Sequence, residues 1–130
     1  MSKKQPEFEL QVAVCNYLSY QYSNVLYLSD TIASLKLTPA QANRNKKIQK
    51  FGFSCPDILI LEPRNGYSGL FIELKVETPF KKNGEIKASK HDHLKNQLDA
   101  ILKLNEKGYF ACFSWGFDMT KNIIDEYLKL

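Results

Sequence analysis

The sequence predicts an α/β protein, a mixed sheet sandwiched between helices. Three observations predict it. Two strand-like apolar runs, near residues 57–61 and 69–76, are separated by Asn65-Gly66, the dipeptide of a tight hairpin turn. Two longer segments, 7–22 and from after Ser89 to about Glu106, carry apolar residues at helical spacing. A last apolar run, 109–115, is followed by Gly116 and a closing amphipathic stretch, 118–130. The order is helix, strand, a poorly patterned stretch, strand, strand, helix, strand, helix, and that alternation packs helices against a sheet.

The first helix is expected over 7–22, with Pro6 just ahead of it or in its first turn. At about 100° per residue, Glu7, Gln11, Val14 and Leu18 form one stripe. Val14 and Leu18 should face the core, and Glu7 and Gln11 continue that stripe to where a site can open. Glu7 is either a site residue or a helix-start acid that answers the macrodipole. Residues 24–28 form a short strand candidate. Residues 29–50 are a polar connection with a helix possible from Pro39 to Lys50. The loop 77–88 is long, basic and contains Gly84.

The second long helix should start after Ser89, with Asp92 three residues on as a capping-box match, and stop at Gly108. Leu94, Leu98, Ile101 and Leu102 mark its buried side. Gln97 shares that side and is either a satisfied core amide or a site residue. The run 109–115 is apolar on both faces and reads as an interior strand. In the closing helix Ile123, Ile124, Tyr127 and Leu128 should pack inward.

At 130 residues the chain is expected to be one domain, 1–130, with an ordinary composition of 44% hydrophobic and 25% charged residues. No apolar run approaches the ~20 residues of a membrane span. The polar start, Met-Ser-Lys-Lys-Gln-Pro, argues against secretion. Cys15, Cys55 and Cys112 are odd in number and widely spaced, which suits a reducing cytoplasm and excludes a Cys-x-x-Cys zinc site. Packing is the simplest role for Cys55. His91 and His93 flank Asp92 at a loop–helix junction without further ligands nearby, which argues against zinc.

The chemistry concentrates in Pro56-Asp57, which opens one apolar run, and Glu73-Leu74-Lys75 inside the next. Alternation puts Leu70, Ile72, Leu74 and Val76 on one face and Phe71, Glu73 and Lys75 on the other. If the turn centres on Asn65, Asp57 falls opposite Glu73. Two bare carboxylates that close repel, and one holds a proton unless a hard cation binds both. Such an ion lowers the pKa of a water, and Lys75 could position that water or offset charge on a phosphate. Glu-x-Lys is common on solvated strands, and Glu85-Ile86-Lys87 is a second copy that reads as loop. The Pro-Asp pairing is what lifts the first copy above that background.

The net charge is +4, and its distribution matters more. No acid lies between Thr31 and Pro56, where Lys36, Arg44, Lys46, Lys47 and Lys50 fall. Lys81, Lys82, Lys87 and Lys90 form a second cluster. Both flank the hairpin and suit a polyanion such as DNA, although lysine-rich loops also serve solubility alone.

Taken together, Glu7-x-x-Leu10-Gln11, Pro56-Asp57 after a Gly52-containing turn, Glu73-Leu74-Lys75, Gln97 and Gly108 resemble the PD-(D/E)xK nuclease superfamily. More closely the chain is similar to the VRR-NUC family in its compact stand-alone form, typical of phages and prophages. The resemblance covers most of the chain. It implies a restriction-endonuclease-like αβββαβ core and a Mg²⁺- or Mn²⁺-dependent DNA endonuclease without organic cofactor. Asp57, Glu73 and the Leu74 carbonyl would hold the metal, with Glu7 a further candidate ligand. Lys75 would handle the attacking water, Glu7 and Gln97 would support the metal or water shell, and Gln11 would buttress Glu7. Arg44, Lys46, Lys47, Lys50, Lys81, Lys82, Lys87 and Lys90 would contact DNA. Stand-alone members are similar to homodimeric Holliday-junction resolvases, which implies branched DNA and a dimer, with flap or other structure-specific cleavage equally compatible. The expected location is cytoplasmic (host-cell, if phage-encoded). The last strand and helix could supply the dimer face. Ser54 departs from the glycine often found two residues before Pro-Asp. The competing expectation is a non-catalytic DNA-binding or adaptor module, motivated by the basic clusters. A restriction or transposition subunit is disfavoured, because no separate recognition domain fits.

Overall fold

A computed structural model describes residues 6–29 and 36–130. The polar N-terminal residues 1–5 and the early part of the polar connection, 30–35, lie outside the described residues. The elements run α1 (Pro6–Gln21), β1 (Tyr27–Ser29), α2 (Pro39–Ile48), β2 (Ile58–Ile60), β3 (Leu70–Lys75), α3 (His93–Glu106), β4 (Phe110–Trp115) and α4 (Phe117–Leu128). The four strands form one mixed sheet in the order β1-β2-β3-β4. Pairing is antiparallel for β1–β2 and β2–β3 and parallel for β3–β4, where α3 makes the crossover a parallel pair needs.

Helices cover both faces. Leu70, Ile72 and Leu74 of β3 join Ile58, Ile60, Val14, Leu18, Ile124 and Tyr127 under α1 and α4. Phe71 packs the other way, with Ile101 and Leu104 of α3 and with Ala111 and Phe113 of β4. The alternation expected for β3 is therefore the one observed. Burying an aliphatic side chain such as Ile72 contributes about 1.5–3 kcal/mol, which pins the register of the ladder.

The hairpin holds a refinement. Its tip is a two-residue loop, with Asn65 (φ 46°) and Gly66 (φ 86°) both left-handed and Arg64 paired to Tyr67. The turn thus centres between Asn65 and Gly66, not on Asn65. Yet the ladder pairs Ile58 with Ile72 and Ile60 with Leu70. Between that ladder and the tip, the β2 side carries Leu61, Glu62 and Pro63 while the β3 side carries only Ser68 and Gly69. The odd residue is a bulge, and it restores the register that sets Asp57 opposite Glu73. Tyr127 Oη donates to the Glu62 carbonyl at 2.7 Å, satisfying a group the bulge leaves outside the ladder.

Four expectations need correction. Strand β1 begins at Tyr27, because the Val25 N–H turns back to the Tyr22 carbonyl (3.0 Å). Leu102 is 54% exposed, since it lies well round the helix from the Gln97–Ile101–Leu104 stripe that meets the sheet. The capping box before α3 does not form. A 3₁₀ turn, Lys90–Asp92, intervenes with His91 and Asp92 at positive φ, and the Ser89 hydroxyl instead accepts from the Leu94 N–H at 2.8 Å. Strand β4 is an outer strand, paired with β3 alone among the described residues; its two apolar faces meet helices rather than flanking strands.

The segment 77–88 is built rather than loose. Phe80 bridges to Ile86 in a small hairpin, and its ring packs edge-on to Phe113 and Trp115. Among the described residues, no helix is long and apolar enough to cross a membrane.

Candidate active site

The C-terminal half of β3 brings Glu73 and Lys75 to one end of the sheet on the face that α3 covers. Asp57, one residue before β2, extends the Ile58–Ile72 pairing and so faces Glu73. These side chains line a cavity of about 220 Å³ together with Glu7, Phe8, Gln11, Ser54, Cys55, Leu74, His93 and Gln97. Every residue the sequence singled out for catalysis therefore reaches one cavity: Glu7, Gln11, Asp57, Glu73, Lys75 and Gln97, with Leu74 beside them.

Asp57 is half-buried, and its Oδ2 accepts from the Leu74 N–H at 2.8 Å. Glu73 is only 5% exposed, and its Oε1 accepts from Gln97 Nε2 at 2.5 Å. The same amide nitrogen stands 3.1 Å from His93 Nε2, one helical turn earlier. Among the described residues Gln97 Oε1 is buried without a hydrogen-bond partner. Gln11 Nε2 donates to Ser29 Oγ at 2.6 Å, tying α1 to the end of β1. Glu7 is exposed at the rim. Among the described residues no three His, Cys, Asp or Glu side chains gather as a metal-binding group. The centre is a carboxylate pair with an amide and a lysine.

The electrostatics follow from this packing. Burial raises the Glu73 carboxyl most and the Asp57 charge raises it further; Lys75 opposes both, and the result is about 9. Burial also lifts Asp57 above the usual carboxylate range, against the Leu74 N–H, the hydrogen bond shared with Glu73, and Lys75. At neutral pH the pair holds a proton that separate, solvated carboxylates would have lost.

The basic residues divide. Arg44, Lys46 and Lys47 stand exposed on α2, and Lys50 on the turn after it. Lys81 and Lys82 occupy the 79–87 hairpin, and Lys90 the 3₁₀ turn. None of these lines the carboxylate cavity. Lys87 comes nearer: it lines an adjoining recess of about 290 Å³ that shares Glu7 and Lys75 with the cavity. Sequence reasoning missed His93 and Phe8 as wall residues. The spacing His93-x-x-x-Gln97 on a helix was the available signal for His93, because residues four apart share a face.

Fold and site together define a mixed-sheet α/β protein with a paired-carboxylate and lysine centre at one end of the sheet. No protein-family model and no curated protein matches the chain. A solved structure described as a VRR_NUC domain protein does match, with a TM-score of 0.62 at 25% sequence identity, over 99% of this chain and 93% of that one. The chain has the VRR-NUC fold.

Proposed function

We propose that the chain is a divalent-metal-dependent DNA endonuclease that hydrolyses phosphodiester bonds. The observation that carries this reading is Asp57 facing a buried Glu73 across the hairpin, with Lys75 on the same face and Gln97 bonded to Glu73. The description of the structural neighbour supports a nuclease-type domain with DNA as its partner.

The donor set fits a hard cation. Two carboxyls, the buried Glu73 and the half-buried Asp57, sit above their ordinary values, and among the described residues the buried Gln97 amide oxygen lacks a partner. Asp57 and Glu73 would hold Mg²⁺ or Mn²⁺, with the Leu74 carbonyl as a further ligand, while Glu7 at the rim would support the water shell. When bound, such an ion polarises the phosphate and acidifies a water. Asp57 is held in place by the Leu74 N–H, and Gln97 fixes the Glu73 carboxyl. Lys75 orients the attacking water and offsets charge building on the phosphate. Gln11 steadies the α1 end of the wall through Ser29.

Branched DNA as the substrate and a homodimer as the acting unit complete the proposal. The outer edge of β4 and the groove of about 680 Å³ beside α4, lined by Phe110, Met119, Ile123, Tyr127 and Leu130 among others, support a face for a second copy. Two-fold pairing would then present two centres to a symmetric junction.

The test is cleavage of labelled four-way junction, flap and linear duplex DNA with Mg²⁺, Mn²⁺ or EDTA. Glu73→Ala and Lys75→Ala should abolish metal-dependent cutting while the protein still folds and binds DNA. Cutting retained by Glu73→Ala removes the carboxylate mechanism. Binding without cutting under any metal points to the adaptor module.

A further inference from the structure

Helix α2 is unlike the rest of the molecule. It buries none of its residues. Its order is local: Pro39 opens it, and Thr38 and Gln41 form a reciprocal capping box, with Gln41 N–H to Thr38 Oγ1 at 3.2 Å and Thr38 N–H to Gln41 Oε1 at 3.0 Å. Across residues 36–53 everything is exposed except Leu37 and Asn45, which are half-buried. All the charge there is positive, from Lys36, Arg44, Lys46, Lys47 and Lys50.

Three large apolar side chains stand among or beside those charges, Ile48, Phe51 and, less exposed at 38%, Phe53. Ile48 is 80% exposed and Phe51 94%. Phe51 occupies the corner of a tight turn, closed by the Phe53 N–H on the Lys50 carbonyl at 3.2 Å. The third position is Gly52 at φ 77°, a backbone that a side chain rarely adopts and that this kind of turn requires. The turn therefore thrusts the Phe51 ring outward. A short tether then leads through buried Pro56 to Asp57. Six residues of chain span at most roughly 20 Å, so the ring stands within a few nucleotide steps of the carboxylates.

We propose that Phe51 is a stacking wedge for an unpaired or unstacked DNA base, with the surrounding cations holding the flanking phosphates. The inference rests on the reading of the chain as a nuclease and names the feature of DNA it selects. A second copy seated patch-to-patch would set like charges against each other, whereas a polyanion carrying π faces answers both the charge and the ring. Aromatic stacking tolerates any base, and prying apart a closed step costs a few kcal/mol, so a wedge favours a step that is already open, as at a bulge or branch point.

The test is binding in EDTA, where no cutting occurs, to a bulged DNA, a four-way junction and a linear duplex of matching sequence. 2-Aminopurine at the unpaired position reports stacking. Phe51→Ala should weaken bulge and junction binding roughly tenfold or more, remove the 2-aminopurine response, and leave duplex binding unchanged. Phe51→Leu should behave like the alanine variant, and Phe51→Trp should restore binding. The ring is almost wholly exposed, so the fold is not at stake. Wild-type affinity of Phe51→Ala for bulge and junction overturns the proposal, as does full retention by Phe51→Leu. So does a change in self-association with DNA binding intact, which assigns the patch to a second copy. A chain that stacks through Phe51 but never cuts keeps the wedge and loses the nuclease; one that cuts with Phe51→Ala binding unaltered does the reverse.

Discussion

Two acidic centres in this molecule have opposite characters. On the seam between α1 and α4, Asp125 receives the hydroxyls of Tyr17 and Tyr22 and the ammonium of Lys121, the last at 2.9 Å. Burial works against its charge, but these three donors outweigh it and hold Asp125 down to about 2. At the end of the sheet, Glu73 has the Gln97 amide and faces another carboxyl, and it rises to about 9. The same functional group is a fastener where donors surround it and a strained proton-holder where they do not. Burying Glu73 against a second carboxyl costs stability, and carboxyls shifted in this way cluster at functional sites.

Breaking the contrast at Glu73 should have the largest effect. With a folded value near 9 and an ordinary unfolded value near 4.5, the native state keeps a proton that the unfolded chain has lost between those pH values. The metal-free protein should therefore lose stability as pH rises from about 5 to 9, by up to ~1.4 kcal/mol per pH unit. Asp57, also raised, adds to the slope at the acid end. In Glu73→Gln most of that slope should vanish, and Mg²⁺ or Mn²⁺ should no longer raise the melting temperature at pH 8. Chemical denaturation across pH, with and without metal, measures both; a wild type that is flat from pH 5 to 9 contradicts the buried proton.

A subtler break moves the backbone beneath the pair. A Cβ placed on Gly69 would lie 2.9 Å from the Ile60 carbonyl oxygen, beside the bulge that aligns Asp57 with Glu73. Gly69→Ala should cost up to about 3 kcal/mol, and it should lower cleavage beyond what the unfolded fraction explains. Activity that merely tracks the folded fraction would separate the bulge from the site.

The smallest change sharpens the other side. Asp125→Asn should cost about 2 kcal/mol at pH 7 and leave cleavage intact. Because the native value is depressed, the wild-type advantage is present above pH 4 and fades as pH falls toward 2. Urea midpoints of the two proteins should converge in acid; a constant gap would mean that packing, not charge, makes the difference.

Much of the site was legible because it obeys short-range rules. The two-residue period of β3 placed Glu73 and Lys75 together, and the helical stripe of α1 carried Glu7 and Gln11 toward the same end. What escaped depends on pairings that no local pattern encodes. The bulge at residues 61–63 shows only when both strands are counted against their tip. The outer position of β4 looked interior because helices and strands bury a face equally well. Leu102 is apolar and adjoins the stripe, but Ala100, Ile101 and Leu104 already fill the buried side of the helix. His93 had helical spacing to Gln97, but the left-handed residues before α3 hid where the helix begins.

The bulge also sorts the hairpin by its tolerance of length change. Ile58, Ile60, Leu70 and Ile72 are all fully buried, so the ladder is set by what it packs against, not by the turn. An odd residue between Ile60 and Leu70 has already been absorbed there without disturbing the carboxylates. Insertions in that stretch that leave Gly69 against the Ile60 carbonyl can be taken up as slack. A single residue added between Asp57 and Ile60, or between Leu70 and Glu73, would send one acid to the opposite face. A few residues on either strand are thus held to a fixed count, while the tip between them is free to change length.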